Sequence, residues 1–461
     1  MLCRCVLASL FTRTERIYLS MYIFFMSLGC DKNLVDSEEM LGALVSRGFE
    51  VTDDESQAEV IVVNTCCFIH DAKEESIQAI LDMANYKTEG NLKALIVTGC
   101  LAQRYKEEIT KEIPEVDAVL GTNSQAALLD AVDEALKGKV SHVFTPLEGI
   151  PQVPGKRMIT TGGFYEYLKI AEGCDKHCTY CIIPKIRGNY RSVPMETLIE
   201  QAKQLAEQGV KELILVAQET TIYGTDLYGK KSLHLLLKEL CKIPGIVWIR
   251  VLYCYPEEIY PELIETIRDE KKICHYLDLP IQHANDEILR RMGRRTSKQE
   301  LIDKIDFLRS EMPDITLRTT LITGFPGETK EQHKELLEFI NDMEFDRLGV
   351  FTYSPEEGTP AAAMEHQIDE EVKLDRQAEL MELQQDISAE LGERRIGQEL
   401  LVMIEGKVAD EDAYVGRSQA DAPGVDGYVF VNTPETLVSG DFVRVKITGA
   451  LEYDLIGEIS Q

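Results

Sequence analysis

The chain has 461 residues, room for about three domains at the usual ~100–200 residues each. Its hydrophobic fraction of 44% and charged fraction of 28% are ordinary for a soluble globular protein, and no apolar run approaches the ~20 residues needed to span a bilayer. A formal net charge of −30 disfavours a phosphate backbone as partner; it suits a cationic one, or serves solubility alone.

Twelve cysteines at irregular spacings, in a chain too large to need disulfide staples, point to metal-bound thiolates in a reducing cytoplasm. Residues 1–20 carry Arg4, Arg13 and Arg16 among small apolar residues, without the apolar core and cleavage site of a signal peptide. They are expected to be an over-extended start or disordered, with Met21 the natural beginning.

From residue 21 to 138, short apolar runs alternate with amphipathic stretches, the mark of an open parallel α/β sheet. Strands are expected at Tyr22–Leu28, Glu59–Asn64, Lys93–Thr98 and Asp117–Leu120. Helices are expected at Leu34–Arg47, Asp71–Tyr86, Leu101–Glu112 and Gln125–Leu136. Cys30, Cys66 and Cys100 each follow one of the first three strands. The carboxyl ends of parallel strands share one edge, where ligands bind, so these three cysteines should converge. Cys67 reads as a small buried neighbour, since only one of two consecutive side chains faces the site. Residues 139–163, with Pro146, Pro151 and Pro154 and several glycines, read as a linker.

The next apolar run leads into Gly173-Cys174-Asp175-Lys176-His177-Cys178-Thr179-Tyr180-Cys181. Three thiolates at Cys-x-x-x-Cys-x-x-Cys spacing can grip three corners of a cubic iron–sulfur cluster and leave the fourth iron open for chemistry. A zinc site, with His177 the only nearby fourth ligand, and a disulfide knot are the alternatives. At these residues the chain resembles the radical S-adenosylmethionine (SAM) enzymes. The resemblance implies that the open iron binds the amine and carboxylate of SAM, with Tyr180 near its adenine.

Ser27-Leu28-Gly29-Cys30-Asp31-Lys32-Asn33, Asn64-Thr65-Cys66 and Thr98-Gly99-Cys100-Leu101-Ala102-Gln103-Arg104 resemble the methylthiotransferase family. That implies a second 4Fe-4S cluster on Cys30, Cys66 and Cys100, whose open iron carries the sulfur to be transferred. With both cysteine sets, the resemblance covers nearly the whole chain from Met21.

Residues 164–391 resume the strand–helix alternation, with strands expected at Tyr167–Ala171, Glu212–Ala217, Val247–Tyr253, Tyr276–Pro280, Thr316–Thr323 and Leu348–Tyr353. Six βα units suffice for the partial (β/α)6 barrel that the resemblance implies, with working residues at the strands' carboxyl ends. There the resemblance puts Glu219 as partner of the SAM ammonium, though a helix cap is an alternative. It makes Thr323-Gly324-Phe325-Pro326-Gly327-Glu328 the adenine-contacting turn, or else a plain strand-to-helix turn, and offers Arg318 to the SAM carboxylate or ribose. Leu277-Asp278-Leu279-Pro280-Ile281-Gln282-His283 and Tyr253-Cys254-Tyr255-Pro256-Glu257 carry the resemblance further, with His283 read as a hydrogen-bonded structural residue. A helix over Asp369–Leu391 should pack on the barrel's flank.

From residue 392 to 461 five short β runs, at Leu400–Ile404, Ala413–Gly416, Tyr428–Val431, Phe442–Ile447 and Asp454–Glu458, suggest a small oligonucleotide-binding-like β-barrel. It resembles the TRAM domain, which usually binds RNA. Thirteen acids against six bases make this module ill-suited to RNA and suited to a lysine- and arginine-rich protein.

The resemblance implies that a reduced cluster on Cys174, Cys178 and Cys181 cleaves SAM to a deoxyadenosyl radical, while the other cluster delivers sulfur methylated by a second SAM. The electron would come from a donor such as flavodoxin or ferredoxin. One branch of the family methylthiolates a modified adenosine in transfer RNA. Another acts on the β-carbon of an aspartate in a basic loop of the twelfth protein of the small ribosomal subunit. Ser27 to Glu38 and Leu277 to His283 look like the ribosomal branch, in agreement with the acidic module. A different class, a non-enzymatic electron carrier or iron sensor, would need four protein ligands per cluster.

Overall fold

The computed structural model describes residues 21–460, so the expectations for residues 1–20 lie outside it. The described chain forms two compact units. The first holds residues 21–160, 172–175 and 181–191; the second holds 161–171, 176–180 and 192–460. No helix among the described residues is long and apolar enough to cross a membrane.

In the first unit the chain runs β1 (Tyr22–Ser27), α1 (Asp31–Arg47), β2 (Glu50–Val51), β3 (Val60–Thr65), α2 (His70–Glu89) and β4 (Ala94–Gly99). It continues through α3 (Cys100–Tyr105), α4 (Glu108–Glu112), β5 (Ala118–Leu120), α5 (Leu128–Ala135) and β6 (Ser141–Val143), and includes α6 (Ile183–Arg187). The strands form one parallel sheet in the order β2-β1-β3-β4-β5-β6. Every residue of β3 and β4 is buried, which is why both read as continuous apolar runs. Ile61, Val63, Leu95 and Val97 meet Ile80 and Met83 of α2 on one face. Val60, Val62, Ala94 and Ile96 meet Met40 and Leu44 of α1 and Leu128 and Val132 of α5 on the other.

Three details differ from the sequence reading. The edge strands β2 and β6 are two and three residues long, too short to show a period, and β6 falls within the expected linker. The single helix expected over Leu101–Glu112 is two, broken at Lys106, whose φ of 49° is left-handed. The rest of the linker is tied to α1: the buried carboxylate of Glu38 accepts from Arg157 Nε (2.8 Å) and from the backbone N–H of Thr160 (2.6 Å).

The second unit opens on β7 (Tyr165–Lys169). The two-residue strands β8 (Ala171–Glu172) and β9 (Arg191–Ser192) mark where the chain leaves it and returns. Then follow α7 (Met195–Glu207), β10 (Glu212–Val216), α8 (Thr225–Tyr228), α9 (Leu233–Cys241), β11 (Trp248–Val251), α10 (Pro261–Asp269) and β12 (Ile273–Asp278). The run ends α11 (Asp286–Arg291), α12 (Lys298–Glu311), β13 (Thr316–Thr323), α13 (Lys330–Met343), β14 (Arg347–Thr352) and α14 (Glu370–Glu393). Six parallel strands stand in the order β14-β13-β12-β11-β10-β7, an open (β/α)6 arrangement. Capping boxes at Ser297/Glu300 and Thr329/Gln332 start α12 and α13. Helix α14 lies along the flank, where Gln384 Nε2 donates to the Phe345 carbonyl.

The same unit ends in a closed five-stranded barrel, β15 (Glu399–Lys407), β16 (Ala413–Ser418), β17 (Val429–Asn432), β18 (Phe442–Ala450) and β19 (Leu455–Ile459), around Val402, Ile404, Val429, Val431 and Val445. It docks at the amino-terminal ends of the parallel strands through buried charge. Arg417 and Arg250 both reach Glu212, each at 2.8 Å. Arg347 pairs with Asp421 at 2.5 Å, Arg318 with Asp426 at 3.4 Å, and the Tyr276 hydroxyl donates to Asp426 at 2.7 Å.

Candidate iron–sulfur and cofactor sites

Parallel pairing of β1, β3 and β4 sets Ser27 beside Asn64 and Thr65 beside Gly99. Cys30, Cys66 and Cys100 therefore leave three adjacent strands at one sheet edge, each within three residues of a strand end. Gly29 and Gly99 have φ of 91° and 92°, and each precedes a cysteine. A Cβ on Gly29 would stand 2.6 Å from Cys66 Cβ and 2.8 Å from its Sγ, so the bare backbone is what admits Cys66. Asn33, fully buried, braces the loops: its Nδ2 donates to the carbonyls of Leu28 (2.8 Å) and Thr65 (2.9 Å). Burial pushes both the Cys66 and the Cys100 thiols up, so metal binding there would release protons. Cys67 is fully buried in the apolar layer under the sheet.

Arg187, at the end of α6, is 2% exposed beside this edge. Its Nη1 donates to Asp36 Oδ2 (2.8 Å) and Glu172 Oε2 (3.2 Å). Its Nη2 donates to Asn33 Oδ1 and lies 3.6 Å from Cys100 Sγ.

The Cys-x-x-x-Cys-x-x-Cys loop supplies Cys174 and Cys181 to the first unit and Cys178 to the second. Gly173, with φ of 78°, lets the Cys174 N–H reach the Gly188 carbonyl at 3.1 Å. In the second unit Cys178 Sγ lies 3.7 Å from the Tyr255 hydroxyl. The Tyr255 ring carries Lys176 and Arg294 over its faces at 5.2 and 4.4 Å. Tyr180 packs against an apolar cluster of Ile288, Met292, Phe325 and Tyr353. His177 is exposed, with a left-handed φ of 50°. Among the described residues no three His, Cys, Asp or Glu side chains converge on a single ion. A cubane offers its irons at separate corners, so its thiolates need not crowd as those around one zinc do.

At the carboxyl ends of the parallel strands, several polar atoms are buried without a protein partner. They are Glu219 Oε2, Gln282 Oε1, Thr323 Oγ1, Tyr353 Oη, and Arg294 Nε and Nη1. Buried polar groups are ordinarily satisfied, so such a set fits a polar ligand. Tyr253 and Gln282 add left-handed backbone at the same ends, with φ of 59° and 75°. Glu219 is fully buried: its Oε1 accepts from the Thr221 N–H at 2.9 Å, and burial pushes its carboxyl up to about 7 against the pull of Lys176. These residues fit a cationic, amino-acid-bearing cofactor.

The other sequence candidates have protein neighbours of their own. Arg318 donates to Asp278 at 2.9 Å as well as pairing with Asp426, toward the amino-terminal end of β13. Gly324 and Gly327 have φ of 70° and 76°, and a Cβ added at either would meet the side chain of Lys373 or Arg291 respectively. His283, fully buried, accepts from the Asn285 N–H at 2.9 Å and stands 3.8 Å from Glu328, whose other oxygen takes the Gly324 and Phe325 N–H groups. That places it among the supports of the turn, as a structural histidine. Sequence reasoning passed over Arg187 and Arg294. Lys176, Tyr255 and Asn33 lay inside stretches already singled out, but nothing marked them individually.

Three family descriptions match the chain: Uncharacterized protein family UPF0004 over residues 22–121, Radical SAM superfamily over 168–340, and TRAM domain over 396–459. A protein of Lachnoclostridium phytofermentans, named ribosomal protein uS12 methylthiotransferase RimO, is 64% identical over 95% of this chain and 99% of its own. The chain belongs to the RimO family. Its relatives of the same name include those of Clostridium perfringens, 53% identical over 94% of this chain and 97% of theirs, and of Clostridioides difficile, 51% identical over the same shares. The fold is also that of the radical SAM methyltransferase TsrM from Kitasatospora setae, with a TM-score of 0.54 at 13% identity over 85% of this chain and 78% of that one. RimO family membership makes the protein a radical SAM methylthiotransferase, an enzyme of an iron–sulfur cluster and SAM.

Proposed function

We propose that this RimO family member methylthiolates the β-carbon of an aspartate in ribosomal protein uS12, with two 4Fe-4S clusters. Cys174, Cys178 and Cys181 would hold one, and Cys30, Cys66 and Cys100 the other. The observation that carries this reading is the convergence of Cys30, Cys66 and Cys100 from three adjacent strands, in a chain 64% identical end to end to a named uS12 methylthiotransferase. The clusters and SAM would supply one-electron chemistry able to replace an unactivated C–H bond, which no side-chain base near ambient pH achieves.

The chain's own residues do the binding and orienting. Glu219 would receive the SAM ammonium, with Lys176 and Glu258 acting on its carboxyl in opposite directions. Arg294 holds two unpartnered N–H groups beside Tyr255 for an anionic group such as the SAM carboxylate, and Tyr180 offers an aromatic face for adenine. Gly324 would bring the turn after β13 to the adenine. Arg318 is committed to Asp278 and Asp426, which leaves it a lesser candidate. In the carboxyl-terminal module Glu405, Asp421 and Asp426 turn inward to arginines. The remaining ten acids and five bases still favour a lysine- and arginine-rich partner over nucleic acid. A flavodoxin- or ferredoxin-like donor in a cytoplasmic setting suits thiolates that must stay reduced.

The test is anaerobic incubation of reconstituted enzyme with SAM, reductant and either uS12 or transfer RNA. A mass gain of one methylthio group on uS12 is expected. Thiomethylation of transfer RNA alone would overturn the substrate. Cys178→Ala should abolish SAM cleavage yet leave the amino-terminal cluster in place.

A further inference from the structure

We infer that Arg187 tunes the amino-terminal cluster: its guanidinium donates to the Cys100 sulfur and stabilises the cluster's reduced form. The inference rests on the reading of Cys30, Cys66 and Cys100 as cluster ligands and adds a residue that lies outside every cysteine set.

The geometry is specific. Two carboxylates, Asp36 and Glu172, take Nη1, and that leaves Nη2 for Asn33 Oδ1 and Cys100 Sγ at 3.6 Å. Asn33 in turn grips the carbonyls of Leu28 and Thr65, just ahead of Cys30 and Cys66. A buried arginine with two buried counter-ions could end its commitments there; a purely structural cation needs no sulfur. Here the fork is held so that one N–H pair faces the ligand atom. Reduction adds negative charge to a cluster and its thiolates, and hydrogen bonds to sulfur favour that more negative form, which raises the potential. Charge-assisted donors are the stronger ones, and a 2% exposed site leaves little water to compete. Arg187 also follows Cys181 by six residues, so the segment that carries the radical SAM motif supplies a neighbour to the other cysteine set.

The experiment uses the full-length chain with Cys174, Cys178 and Cys181 all changed to alanine, so that one cluster is observed. Iron and sulfide are counted after anaerobic reconstitution, and the midpoint potential is read by redox titration with electron paramagnetic resonance. About four irons per chain in this parent supports the ligand reading; none overturns that reading, whatever Arg187 does. Against a loaded parent, Arg187→Met should shift the midpoint to a more negative value and remove one exchangeable-proton coupling from the cluster's spectrum. Arg187→Lys should restore at least half of the shift. An unchanged midpoint in Arg187→Met overturns the inference. If that variant holds no iron, Arg187→Gln, which keeps a donor without the charge, is titrated for the same negative shift. Iron lost from both variants, with circular dichroism intact, supports a ligand-shell role. Iron lost together with the fold makes Arg187 a framework residue and overturns it.

Discussion

A glycine ahead of a cysteine recurs in this chain because a thiol at a strand end must approach another backbone without a side chain intervening. At Gly29 the demand is double, a φ of 91° and a Cβ position already filled by Cys66. If the two-cluster proposal holds, Gly29→Ala should cost the amino-terminal cluster and leave the other, so that the iron count falls from about eight to about four per chain. Glu219 gives a second test at this scale. Its carboxyl is pushed up to about 7 by burial, so it is neutral below that pH and charged above it. A cationic ligand prefers the charged form, and SAM should bind more tightly as pH rises from 6 to 8. In Glu219→Gln the binding should be weaker and nearly independent of pH, as read by calorimetry. The strand-end positions of Cys30, Cys66 and Cys100 were legible because each follows an apolar run. Arg187 was not, since it meets Cys100 across 87 residues of sequence, a distance no local pattern encodes.

Elements were legible in proportion to their length and burial. β3 and β4, buried at every position, stood out as apolar runs, whereas β2 and β6 owe their pairing to neighbours and leave no period of their own. Arg318 illustrates a finer loss. Its strand, Thr316–Thr323, was read to the residue, but periodicity does not say at which end of a strand a charge will find its partner. Third of eight residues, it meets Asp278 and the carboxyl-terminal module's Asp426. The pairs between that module and the parallel strands are buried, so removal of one member is severe. Asp421→Asn leaves Arg347 facing a neutral amide, and should destabilise the second unit by about 3–5 kcal/mol, visible as a lowered thermal midpoint. The Arg347 guanidinium helps hold the Asp421 carboxyl below its ordinary 3.8, despite burial. The pair's contribution is therefore complete above that pH and fades as pH falls through the lower folded-state value. The wild-type advantage over Asp421→Asn should shrink only in strong acid.

At the scale of the whole molecule the dominant quantity is the net charge of −30. Electrostatic attraction of a basic protein should make uS12 binding sensitive to salt. From about 0.01 M to about 0.15 M ionic strength the screening length falls from about 30 Å to about 8 Å, and association by stopped flow should slow accordingly. A transfer RNA would be repelled under the same conditions and should bind, if at all, more readily at the higher salt. The domain-level reading of the sequence set a boundary near residue 392, where helical spacing gives way to short β runs. What composition could not convey is that Glu405, Asp421 and Asp426 serve arginines of the same chain.

The docking of the last barrel through Asp421 and Asp426 also imposes an order on biosynthesis. Arg347 emerges from the ribosome more than seventy residues before the carboxylate that neutralises it, so the catalytic half cannot reach its final electrostatic balance while translation is under way. Nascent chains arrested short of residue 421 should therefore stay protease-sensitive across residues 192–420.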